Sequence, residues 1–395
     1  MKKTVRDVDV KGKRCLVRCD FNVPLDADGK ITDSTRIDAS LPTLNYLLEQ
    51  GASLILLSHL GRPDGTPDAK YSLAPVAAAL EKDLARPVFF RSAPDVIDAA
   101  VEEKAAALKP GEVMLLENTR FVAGETKNDP AFAKALAGLG DLFVNDAFGS
   151  AHRAHASTTG IADYLPAVSG LLLEKEVQFL GDALEKPKRP FVAVLGGAKV
   201  ADKIQVIRAL LAKVDTLLIG GGMAYTFLKA EGYEIGTSLL DQESIGLAAD
   251  LMAEAKEKGV DLLLPQDVVA ATEFAPDAKL GIYEVEHIPP DRMGMDIGPA
   301  TAADFTGRIK YAGTVLWNGP MGVFEMPRFA TGTMAVAKAM AEADGITIIG
   351  GGDSAAAVTQ MGYADKMTHV STGGGASLEF IEGRTLPGVA CIPDA

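Results

Sequence analysis

Cysteine, tryptophan and long apolar runs are scarce in this sequence. Its 395 residues include three cysteines, one tryptophan and five histidines. Three cysteines are too few for the disulfide framework of a small secreted protein. No run of about 18 uncharged apolar residues is present, so no segment is expected to cross a membrane. The residues after Met1 lack the apolar core of a secretory signal, and we therefore expect a cytoplasmic protein.

Two of the cysteines, Cys15 and Cys19, lie in one strand-like run. Four residues of extended chain separate their Cα atoms by about 13 Å, whereas a disulfide spans at most about 7 Å. Two thiols with no further ligand nearby also make a poor zinc site. We therefore predict two buried, unreactive cysteines.

The charge balance and two missing motifs exclude further classes of protein. The formal net charge is −14, which repels phosphate polymers and argues against a general nucleic-acid-binding protein. The pattern G-x-x-x-x-G-K-[ST] is absent, and no G-x-G-x-x-G stands at the glycine clusters. A P-loop ATPase and an ordinary dinucleotide-binding fold are therefore disfavoured. A small anionic ligand is still compatible with basic residues that cluster locally.

Apolar segments with high β-propensity are frequent in the sequence, and they alternate with amphipathic helical segments. A chain of this length holds roughly two or three domains. Apolar strands that alternate with helices form parallel sheets covered on both faces. We predict an α/β protein with two Rossmann-like, three-layer αβα lobes that contain parallel sheets and are joined by a long helix. The predicted strands are Cys15–Val17, Leu54–Leu57, Val88–Phe90, Val113–Leu116, Leu142–Val144, Val192–Leu195, Thr216–Ile219, Leu262–Leu264, Thr314–Trp317 and Ile346–Ile349. The predicted helices are Ile37–Glu49, Ala74–Leu84, Pro130–Ala137, Val200–Leu211, Gln242–Lys256 and Thr331–Ala343.

The best candidate for a domain boundary is a helical stretch near the middle of the chain. Residues 169–184 read as a helix, and Pro187 and Pro190 follow in a linker that cannot continue it. We predict an N-terminal domain over residues 1–168, an interdomain helix and hinge over 169–186, and a C-terminal domain over 187–372.

Arginines follow several predicted strands of the first half. Arg18 closes the first strand, Arg62, Arg120 and Arg153 lie in turns after later strands, and Arg36 precedes the first helix. Ligands of parallel sheets bind beyond the carboxyl ends of the strands, and guanidinium groups pair with carboxylate and phosphate oxygens. A solvated rim with scattered salt bridges is the alternative. The repeated placement favours a pocket for a small, hydroxylated, multiply anionic ligand, either a phosphorylated hydroxy acid or a sugar phosphate.

Histidines also occur in these turns. The pattern His152-x-x-His155 resembles a metal-binding pair, but no acidic or sulfur partner is nearby in sequence, which favours structural hydrogen bonding.

Glycine triplets characterise the second half. They are Gly220–Gly222, Gly350–Gly352 and Gly373–Gly375, and the turn Gly196-Gly197 precedes them. Glycine allows a phosphate to approach the backbone, and a helix that begins there presents free N–H groups to it. A single turn of this kind is a common packing device. Four in one half favour a cleft that binds phosphates.

Charged residues accompany these glycines. Lys199 and Lys203 lie on one face of a predicted helix start, where they can bind phosphate oxygens or form a solvated face. Asp353 and Ser354 open another helix, so they are either helix caps or, in the case of the aspartate, a ligand for Mg²⁺ beside phosphates. Apolar side chains in the turn that ends at Glu325 could sandwich an adenine, while the Glu325 carboxylate holds ribose hydroxyls.

Together these motifs resemble those of the phosphoglycerate kinase family in its compact bacterial form, and the resemblance runs from Arg14 to Val389. Its specific motifs are Arg18–Pro24, Ser58–Pro63, Glu117–Phe121, Asp146–His155, Gly196–Lys203, Trp317–Glu325, Gly350–Ser354 and Ser371–Ser377. Three departures from the usual pattern, at Cys19, Ser150 and Ala201, fall on residues that are not expected to touch substrate.

The resemblance implies Mg²⁺-dependent, reversible phosphoryl transfer between ATP and the carboxylate of 3-phosphoglycerate, which gives ADP and 1,3-bisphosphoglycerate in glycolysis and gluconeogenesis. It implies that the N-terminal domain binds the acid through Asp20, Phe21, Asn22, Arg36, His59, Leu60, Gly61, Arg62, Arg120 and Arg153. The nucleotide would be bound by Gly196, Lys199, Lys203, Gly220, Gly221, Gly294, Asn318, Glu325, Gly351, Gly352, Asp353 and Ser354. Asp353 would hold the metal ion. The family is typically monomeric, and residues 373–395 would return to the N-terminal domain.

The acceptor is a carboxylate that is already ionised at neutral pH, so the reaction needs no general base. We expect positioning and charge stabilisation of an in-line transfer, with Arg36, Lys199 and the N–H groups of Gly373 and Gly374 as the catalytic groups. The two lobes would close about hinges at residues 169–184 and 371–374. The alternatives are a two-lobed NAD-dependent dehydrogenase and a non-catalytic sugar-phosphate or nucleotide sensor.

Overall fold

A six-stranded parallel sheet lies at the centre of each of two units in the computed structural model, which describes residues 2–395. The first unit comprises the chain up to Gln178 together with Thr385–Ala395, and the second comprises Phe179–Arg384. The predicted interdomain helix over 169–186 corresponds to a helix over Leu171–Glu185, and the division between the units falls within that helix. Of the predicted C-terminal segment, residues 373–395, the part Thr385–Ala395 belongs to the first unit in this division.

The sheet of the first unit has the strand order β3-β4-β2-β1-β5-β6. Its strands are β1 (Arg14–Arg18), β2 (Ser53–Leu57), β3 (Val88–Phe90), β4 (Val113–Leu115), β5 (Leu142–Asn145) and β6 (Ala167–Ser169). The helices that begin in this unit are α1 (Thr35–Glu49), α2 (Ala74–Asp83), α3 (Ala99–Ala107), α4 (Pro130–Ala137) and α5 (Leu171–Glu185).

Both faces of this sheet are buried. Val17 and Leu56 belong to one apolar cluster, whereas Leu16 and Ile55 belong to a second cluster. Because alternate residues of a strand point to opposite faces, the two clusters lie on the two sides of the sheet. The continuous apolar runs that predicted the strands are thus explained by a sheet that helices cover on both sides.

The sheet of the second unit has the order β15-β14-β13-β7-β8-β9 and is also parallel. Its strands are β7 (Phe191–Leu195), β8 (Thr216–Ile219), β9 (Asp261–Leu263), β13 (Thr314–Asn318), β14 (Ile346–Ile349) and β15 (His369–Val370). Its helices are α6 (Ile204–Leu211), α7 (Met223–Ala230), α8 (Ile245–Lys258), α9 (Pro299–Lys310), α10 (Thr331–Glu342), α11 (Gly352–Gln360) and α12 (Gly375–Ile381).

A small antiparallel sheet adds to this unit an element that the sequence did not predict. Its order is β11-β10-β12, formed by β10 (Asp267–Ala271), β11 (Leu280–Glu284) and β12 (Met293–Ile297). The fold class is otherwise as predicted, with two parallel-sheet α/β units.

The last segment of the chain packs within the first unit. It contains the short helix α13 (Pro387–Ala390), whose Gly388 carbonyl accepts a hydrogen bond from Asn145 Nδ2 at 2.8 Å. Lys2 Nζ and Asp394 Oδ1 form an ion pair at 3.1 Å. Within residues 2–395, no helix is long and apolar enough to cross a membrane.

The predicted state of the two strand cysteines is confirmed. Cys15 and Cys19 are buried free thiols. Burial raises the pKa of Cys15 to about 12 and raises that of Cys19 well above its usual value. Both therefore remain protonated and weakly nucleophilic at neutral pH.

A buried carboxyl group caps the helix that crosses the unit boundary. Asp146 Oδ1 accepts hydrogen bonds from the N–H groups of Leu172 and Leu173, at 2.9 and 3.3 Å, in the first turn of α5. Asp146 Oδ2 is buried without a hydrogen-bond partner among the described residues. Burial raises the pKa of Asp146 to about 7, although hydrogen bonds from Thr43 and the two leucine N–H groups oppose the shift.

We expect Asp146→Asn to flatten the dependence of stability on pH. The native pKa of about 7 lies above the ordinary aspartate pKa of 3.8, so between these values the native state holds a proton that the unfolded chain has lost. The free energy of unfolding therefore falls as pH rises through this window, by up to about 1.4 kcal/mol per pH unit, and the cost persists above it. Asparagine keeps an acceptor for α5 but never ionises.

The test is urea unfolding of both proteins at pH 5, 6, 7 and 8. The variant should gain stability relative to the parent as pH rises. Asp141→Asn is the control, because hydrogen bonding to Arg14 lowers the pKa of Asp141, and its difference from the parent should be constant over this range. A constant difference for Asp146→Asn as well would contradict the prediction.

Candidate functional site

In the first unit, the candidate site begins with an arginine that is fully buried. Arg18 ends β1, and its side chain has no solvent-exposed area. Its Nε donates to Ser157 Oγ at 2.8 Å, its Nη1 donates to the carbonyl of Cys19, and its Nη2 lies 3.1 Å from His59 Nδ1. A guanidinium placed at the carboxyl end of the innermost strands supplies fixed positive charge where ligands of parallel sheets bind.

Asp20 and Arg36 form the next part of this site. Arg36 Nη1 donates to Asp20 Oδ1 at 2.8 Å, and the Asn22 N–H donates to the same oxygen at 3.2 Å. Burial alone would raise the pKa of Asp20, but the imidazole of His59 and the guanidinium groups of Arg36 and Arg18 outweigh it and hold the pKa below its usual value. Asp20 is therefore an ionised acceptor, suited to a ligand hydroxyl.

His59 follows β2 and is 5% exposed. Burial lowers its pKa well below the usual value, and the charges of Arg18, Arg120 and Arg36 lower it further, against the opposing effect of Asp20. The ring is therefore neutral at pH 7. A neutral imidazole has one donor and one acceptor, so it can donate one hydrogen bond to a ligand.

The backbone of Gly61 connects two further predicted residues. Its N–H donates to Asn22 Oδ1, and its carbonyl accepts from Arg120 Nη1, both at 2.8 Å. Gly61 has φ +61°, and a Cβ there would lie 2.4 Å from ring atoms of Tyr71, so both conformation and space require glycine. Burial, followed by repulsion from Arg18 and Arg153, lowers the pKa of Arg120 to about 10, which leaves the group charged at pH 7.

The remaining predicted residues of this unit differ in their environment. Phe21 and Leu60 are buried, so they shape the site through packing and backbone groups. Arg62 is exposed and forms no ion pair with any of residues 2–395. Arg153 is also exposed, and its Nε donates to His152 Nε2 at 3.1 Å.

Two buried side chains that sequence reasoning missed organise the loops of this site. The Glu117 carboxylate accepts from the Ser72 hydroxyl at 2.8 Å and from the Leu73 N–H at 2.9 Å. Asn118 Nδ2 donates to the carbonyls of Leu60 and Tyr71, at 2.7 and 2.9 Å. Glu117 and Asn118 follow the end of β4 after one intervening residue, so their position after a strand was the available signal.

His155, the second histidine of the H-x-x-H pair, is buried, and its Nδ1 lies 4.0 Å from Glu125 Oε1. Burial lowers the pKa of His155 to about 4, so its ring is neutral at pH 7. Within residues 2–395, no group of three or more His, Cys, Asp or Glu side chains is arranged to hold a metal ion.

In the second unit, the turns after β7 and β13 touch each other. The Gly196 N–H donates to the Asn318 carbonyl at 2.9 Å. A Cβ on Gly196 would lie 2.0 Å from the Pro320 carbonyl oxygen, and a Cβ on Gly319 would lie 2.3 Å from that of Gly196. Backbone packing alone therefore requires glycine at these two positions. They lie at the point where the strand order reverses, which is where open α/β sheets bind ligands.

Lys203 and Asn318 connect these turns to the triplet after β14. Lys203 Nζ donates to Asn318 Oδ1, and Asn318 Nδ2 donates to the Gly350 carbonyl at 2.8 Å. Burial lowers the pKa of Lys203, while the charges of Asp353 and Asp202 oppose the shift.

Asp353 and Ser354, which the sequence offered as helix caps or a metal ligand, lie in different environments. Ser354 is buried, and its Oγ accepts from the Gly319 N–H at 2.6 Å, so it serves packing. Asp353 lies exposed in the first turn of α11 and does not act as the N-cap. A Cβ on Gly352 would meet no atom within 4 Å, so packing does not require glycine there.

The other predicted nucleotide residues lie in varied surroundings. Gly220 donates its N–H to the Leu195 carbonyl at 2.8 Å, and Gly221 donates to that of Met321 at 3.0 Å. The Gly294 N–H donates to Ser238 Oγ at 2.9 Å. Lys199 and Glu325 are exposed and form no ion pair with any of residues 2–395.

The turn before α12 contains the last two predicted catalytic residues. The Gly373 N–H donates to Ser371 Oγ at 3.1 Å, so this donor is engaged within the turn. Gly374 has φ +50°, and a Cβ there would meet no atom within 4 Å.

Comparison with known proteins gives one consistent result. The family model described as phosphoglycerate kinase matches residues 5–384. The phosphoglycerate kinase of Chloroflexus aurantiacus is 59% identical over all of this chain and 99% of its own length, and that of Clostridium tetani is 56% identical over 100% and 98%. A solved structure of phosphoglycerate kinase from Coxiella burnetii superposes with a TM-score of 0.89 at 43% identity, covering 99% of this chain and 98% of that one.

These matches extend over both units and leave neither the dehydrogenase nor the sensor alternative favoured. The chain belongs to the phosphoglycerate kinase family.

Proposed function

We propose that the first-unit cluster binds 3-phosphoglycerate and that the glycine turns of the second unit bind the adenine nucleotide. As a member of its family, the chain is a kinase of glycolysis that transfers a phosphoryl group between ATP and a carboxylate. The residue roles below are the proposal. The observation that carries it is the gathering of Arg18, Asp20, Arg36, His59 and Arg120 at the strand ends of the first unit.

The chemistry of this cluster fits a phosphorylated hydroxy acid. Arg36, Arg120 and the exposed Arg62 and Arg153 provide guanidinium groups for carboxylate and phosphate oxygens. Asp20 is an acceptor for a hydroxyl, and neutral His59 is a donor. A ligand with one hydroxyl and two anionic groups would satisfy these groups together.

The nucleotide side is proposed from the second unit. Lys199 and Lys203 would bind phosphate oxygens, and Gly351 and Gly352 would let the phosphates approach the first turn of α11. Glu325 would accept hydrogen bonds from ribose hydroxyls, with Gly196, Gly220, Gly221 and Gly294 lining the nucleotide.

The residues present fit a magnesium ion that arrives with the nucleotide. Asp353 is a single exposed carboxylate, and Mg²⁺ is commonly held by one or two carboxylates plus phosphate oxygens. When bound, Mg²⁺ would offset the charge of the phosphate oxygens. The Asp353 carboxylate in turn attracts the Lys203 ammonium group, whose pKa it raises against the effect of burial.

The chemical step needs no proton transfer by a side chain, because the attacking carboxylate is ionised at neutral pH. Arg36 would bind the oxygens of the transferring group from the acid side, and Lys199 would do so from the nucleotide side. The N–H groups of the Gly373–Gly374 turn would add donors. In-line transfer requires reacting atoms at about 3–3.5 Å, so the two bound substrates must meet during the reaction, by closure about the α5 region.

A coupled assay tests this function. With ATP, Mg²⁺ and 3-phosphoglycerate, formation of 1,3-bisphosphoglycerate should appear as NADH oxidation by an added dehydrogenase. A binder without catalytic activity would bind both ligands in calorimetry but give no NADH oxidation. Binding of NADH by the chain alone would favour the dehydrogenase alternative. We further propose that the protein acts as a cytoplasmic monomer, which sedimentation at micromolar concentration would check.

We expect Asp353→Asn to weaken MgADP binding by about tenfold while leaving metal-free ADP binding within about twofold. The substitution removes the carboxylate charge that would bind Mg²⁺, while the lysines and glycines proposed to bind the nucleotide phosphates are unchanged. Isothermal titration with ADP, with and without Mg²⁺, measures this difference without any turnover. Asp365→Asn is a control on an aspartate that lies in a separate helical turn after α11. Equal weakening in both conditions would assign Asp353 to the nucleotide rather than to the metal.

A further inference from the structure

Glu125 is a fully buried carboxylate, and no cationic side chain of residues 2–395 is in hydrogen-bond contact with it. Its oxygens accept from the Ser157 N–H at 3.0 Å, from the Ser157 hydroxyl and from the Thr119 hydroxyl at 3.2 Å. The nearest imidazole nitrogen, His155 Nδ1, is 4.0 Å away on a ring that is neutral at pH 7. A buried charge is costly unless it is compensated. The cation that Ser157 links to this carboxylate is Arg18, and the attraction of Glu125 raises the pKa of Arg18 against the effect of burial.

The direction of the hydrogen bonds between these groups is fixed. A guanidinium can only donate, so Ser157 Oγ must accept from Arg18 Nε. The Ser157 hydroxyl proton is therefore directed to Glu125 Oε1. Ser157 thus connects the Glu125 carboxylate to the Arg18 guanidinium. Because Glu125 accepts the Ser157 hydroxyl proton, the Ser157 oxygen is free to accept from Arg18.

The same rule fixes the tautomer of His59. Arg18 Nη2 lies 3.1 Å from His59 Nδ1, and since Arg18 cannot accept, Nδ1 must be the acceptor. The proton of the neutral ring is consequently on Nε2. The groups that face this ring are Asp20, Arg18, Arg36 and Arg120, and the three cations disfavour a second proton on it.

We propose that Glu125 is a positioning residue: through Ser157 it orients Arg18, which holds His59 in the Nε2–H tautomer that donates to the bound acid. The inference rests on the proposed role of His59 in binding 3-phosphoglycerate. Glu125 itself touches neither substrate nor His59. Its effect reaches His59 through three hydrogen bonds, all within the first unit, so it should appear as a change in acid binding rather than as a loss of nucleotide binding.

Nitrogen-15 spectra of the histidine rings test the tautomer in the parent protein without substrate. Two-bond correlations should show His59 with protonated Nε2 and unprotonated Nδ1 at pH 7, with assignment by His59→Gln. A ring protonated on Nδ1 would overturn the proposal. In Glu125→Gln, the same spectra should show a mixture of tautomers, because Arg18 is no longer held by a carboxylate.

Kinetics test the consequence for the acid. Glu125→Gln and Ser157→Ala should each raise KM for 3-phosphoglycerate about tenfold and leave KM for MgATP within about twofold. Because both act through Arg18, the double variant should resemble the single variants rather than show about a hundredfold increase. Ser157→Ala is the milder change and serves if Glu125→Gln does not fold.

Asp267→Asn is the matched control for loss of a buried carboxylate. Asp267 accepts from the N–H groups of Ala300 and Thr301 at the start of α9, at 3.0 and 2.7 Å, in the second unit. It should reduce stability without raising KM for 3-phosphoglycerate. An increase as large as that of Glu125→Gln would mean that general destabilisation explains the effect, which would overturn the proposal.

His59→Gln separates this inference from the proposed function. If that variant raises KM for the acid and Glu125→Gln does not, the positioning role is wrong while the binding role stands. If neither variant changes KM, His59 does not bind the acid and both proposals are overturned.

Discussion

Replacement of Arg36 by alanine is expected to lower kcat by about 10³-fold while ADP affinity changes by less than about twofold. Arg36 is the residue proposed to bind the transferring phosphoryl group from the acid side. A hydrogen bond that forms only in the transition state affects kcat more than it affects substrate binding. It lies in the first unit, whereas the proposed nucleotide residues lie in the second. Stopped-flow or coupled-assay kcat and calorimetric ADP binding measure the two quantities.

The same substitution has a structural consequence that must be separated from the catalytic one. Arg36 donates to Asp20 Oδ1 at 2.8 Å, so its loss leaves a buried carboxylate with fewer partners, at a cost of about 1–3 kcal/mol. Urea unfolding of the variant measures this cost. Arg36→Lys keeps a positive charge beside Asp20 but lacks the paired N–H donors of a planar guanidinium. Compared with Arg36→Ala, it should therefore recover stability more than turnover.

Arg91→Ala is the matched control for Arg36→Ala. Arg91 is a half-exposed arginine of the same unit that pairs with Asp98 at 2.7 Å. Its removal should leave both kcat and ADP affinity unchanged. If Arg36→Ala retained more than a tenth of parental turnover, Arg36 would have no direct role in the transfer.

The elements that the sequence predicted best are strands of the two parallel sheets. All ten predicted strands coincide with observed ones within one or two residues, because a strand covered on both faces requires an unbroken apolar run. The antiparallel sheet was missed because two of its strands lack such unbroken apolar runs. Its strand Leu280–Glu284 alternates between exposed and half-buried residues, and Gly281 and Gly294 interrupt two of its strands.

Several helices were missed because their sequences carry weak signals. Ala99–Ala107 is rich in small residues and has little contrast between its faces. Pro299–Lys310 buries only Thr301, Phe305 and Ile309, so its apolar pattern is sparse. In both cases tertiary packing decides the conformation, since isolated short helices are marginal.

The site was predicted from strand ends, and the limits of that approach are visible in its buried parts. Asp20 and His59 follow predicted strands and Arg36 precedes the first helix, and the family resemblance implied that all three bind the acid. Glu125 and Ser157 were not identified, because 32 residues separate them and Ser157 lies 139 residues from Arg18 in sequence. Contacts between residues so far apart in sequence form only when the chain folds, so no local sequence pattern predicts them.

The glycines show a second limit. The sequence assigned Gly196 to phosphate contact, but backbone packing against Pro320 already requires glycine there. Gly352 has no such neighbour. Of the predicted phosphate-binding glycines, the structure therefore leaves the strongest case for close ligand approach at the start of α11.

The second large effect is expected for Lys199→Ala, which should lower kcat by about 10²-fold and change KM for 3-phosphoglycerate by less than about threefold. Lys199 is exposed and pairs with none of residues 2–395, so its removal should change the free energy of unfolding by less than about 0.5 kcal/mol.

The contrast with the neighbouring lysine makes this prediction specific. Lys203 is half-buried and donates to Asn318, which in turn binds Gly350, so Lys203→Ala should reduce both stability and nucleotide affinity. Lys199→Ala should reduce turnover without a loss of stability, because the side chain pairs with none of residues 2–395. Lys310→Ala, on an exposed lysine at the end of α9, should change neither. If Lys199→Ala behaved like Lys310→Ala, the transferring group would have to be stabilised from the nucleotide side by backbone N–H groups and the metal ion without this lysine.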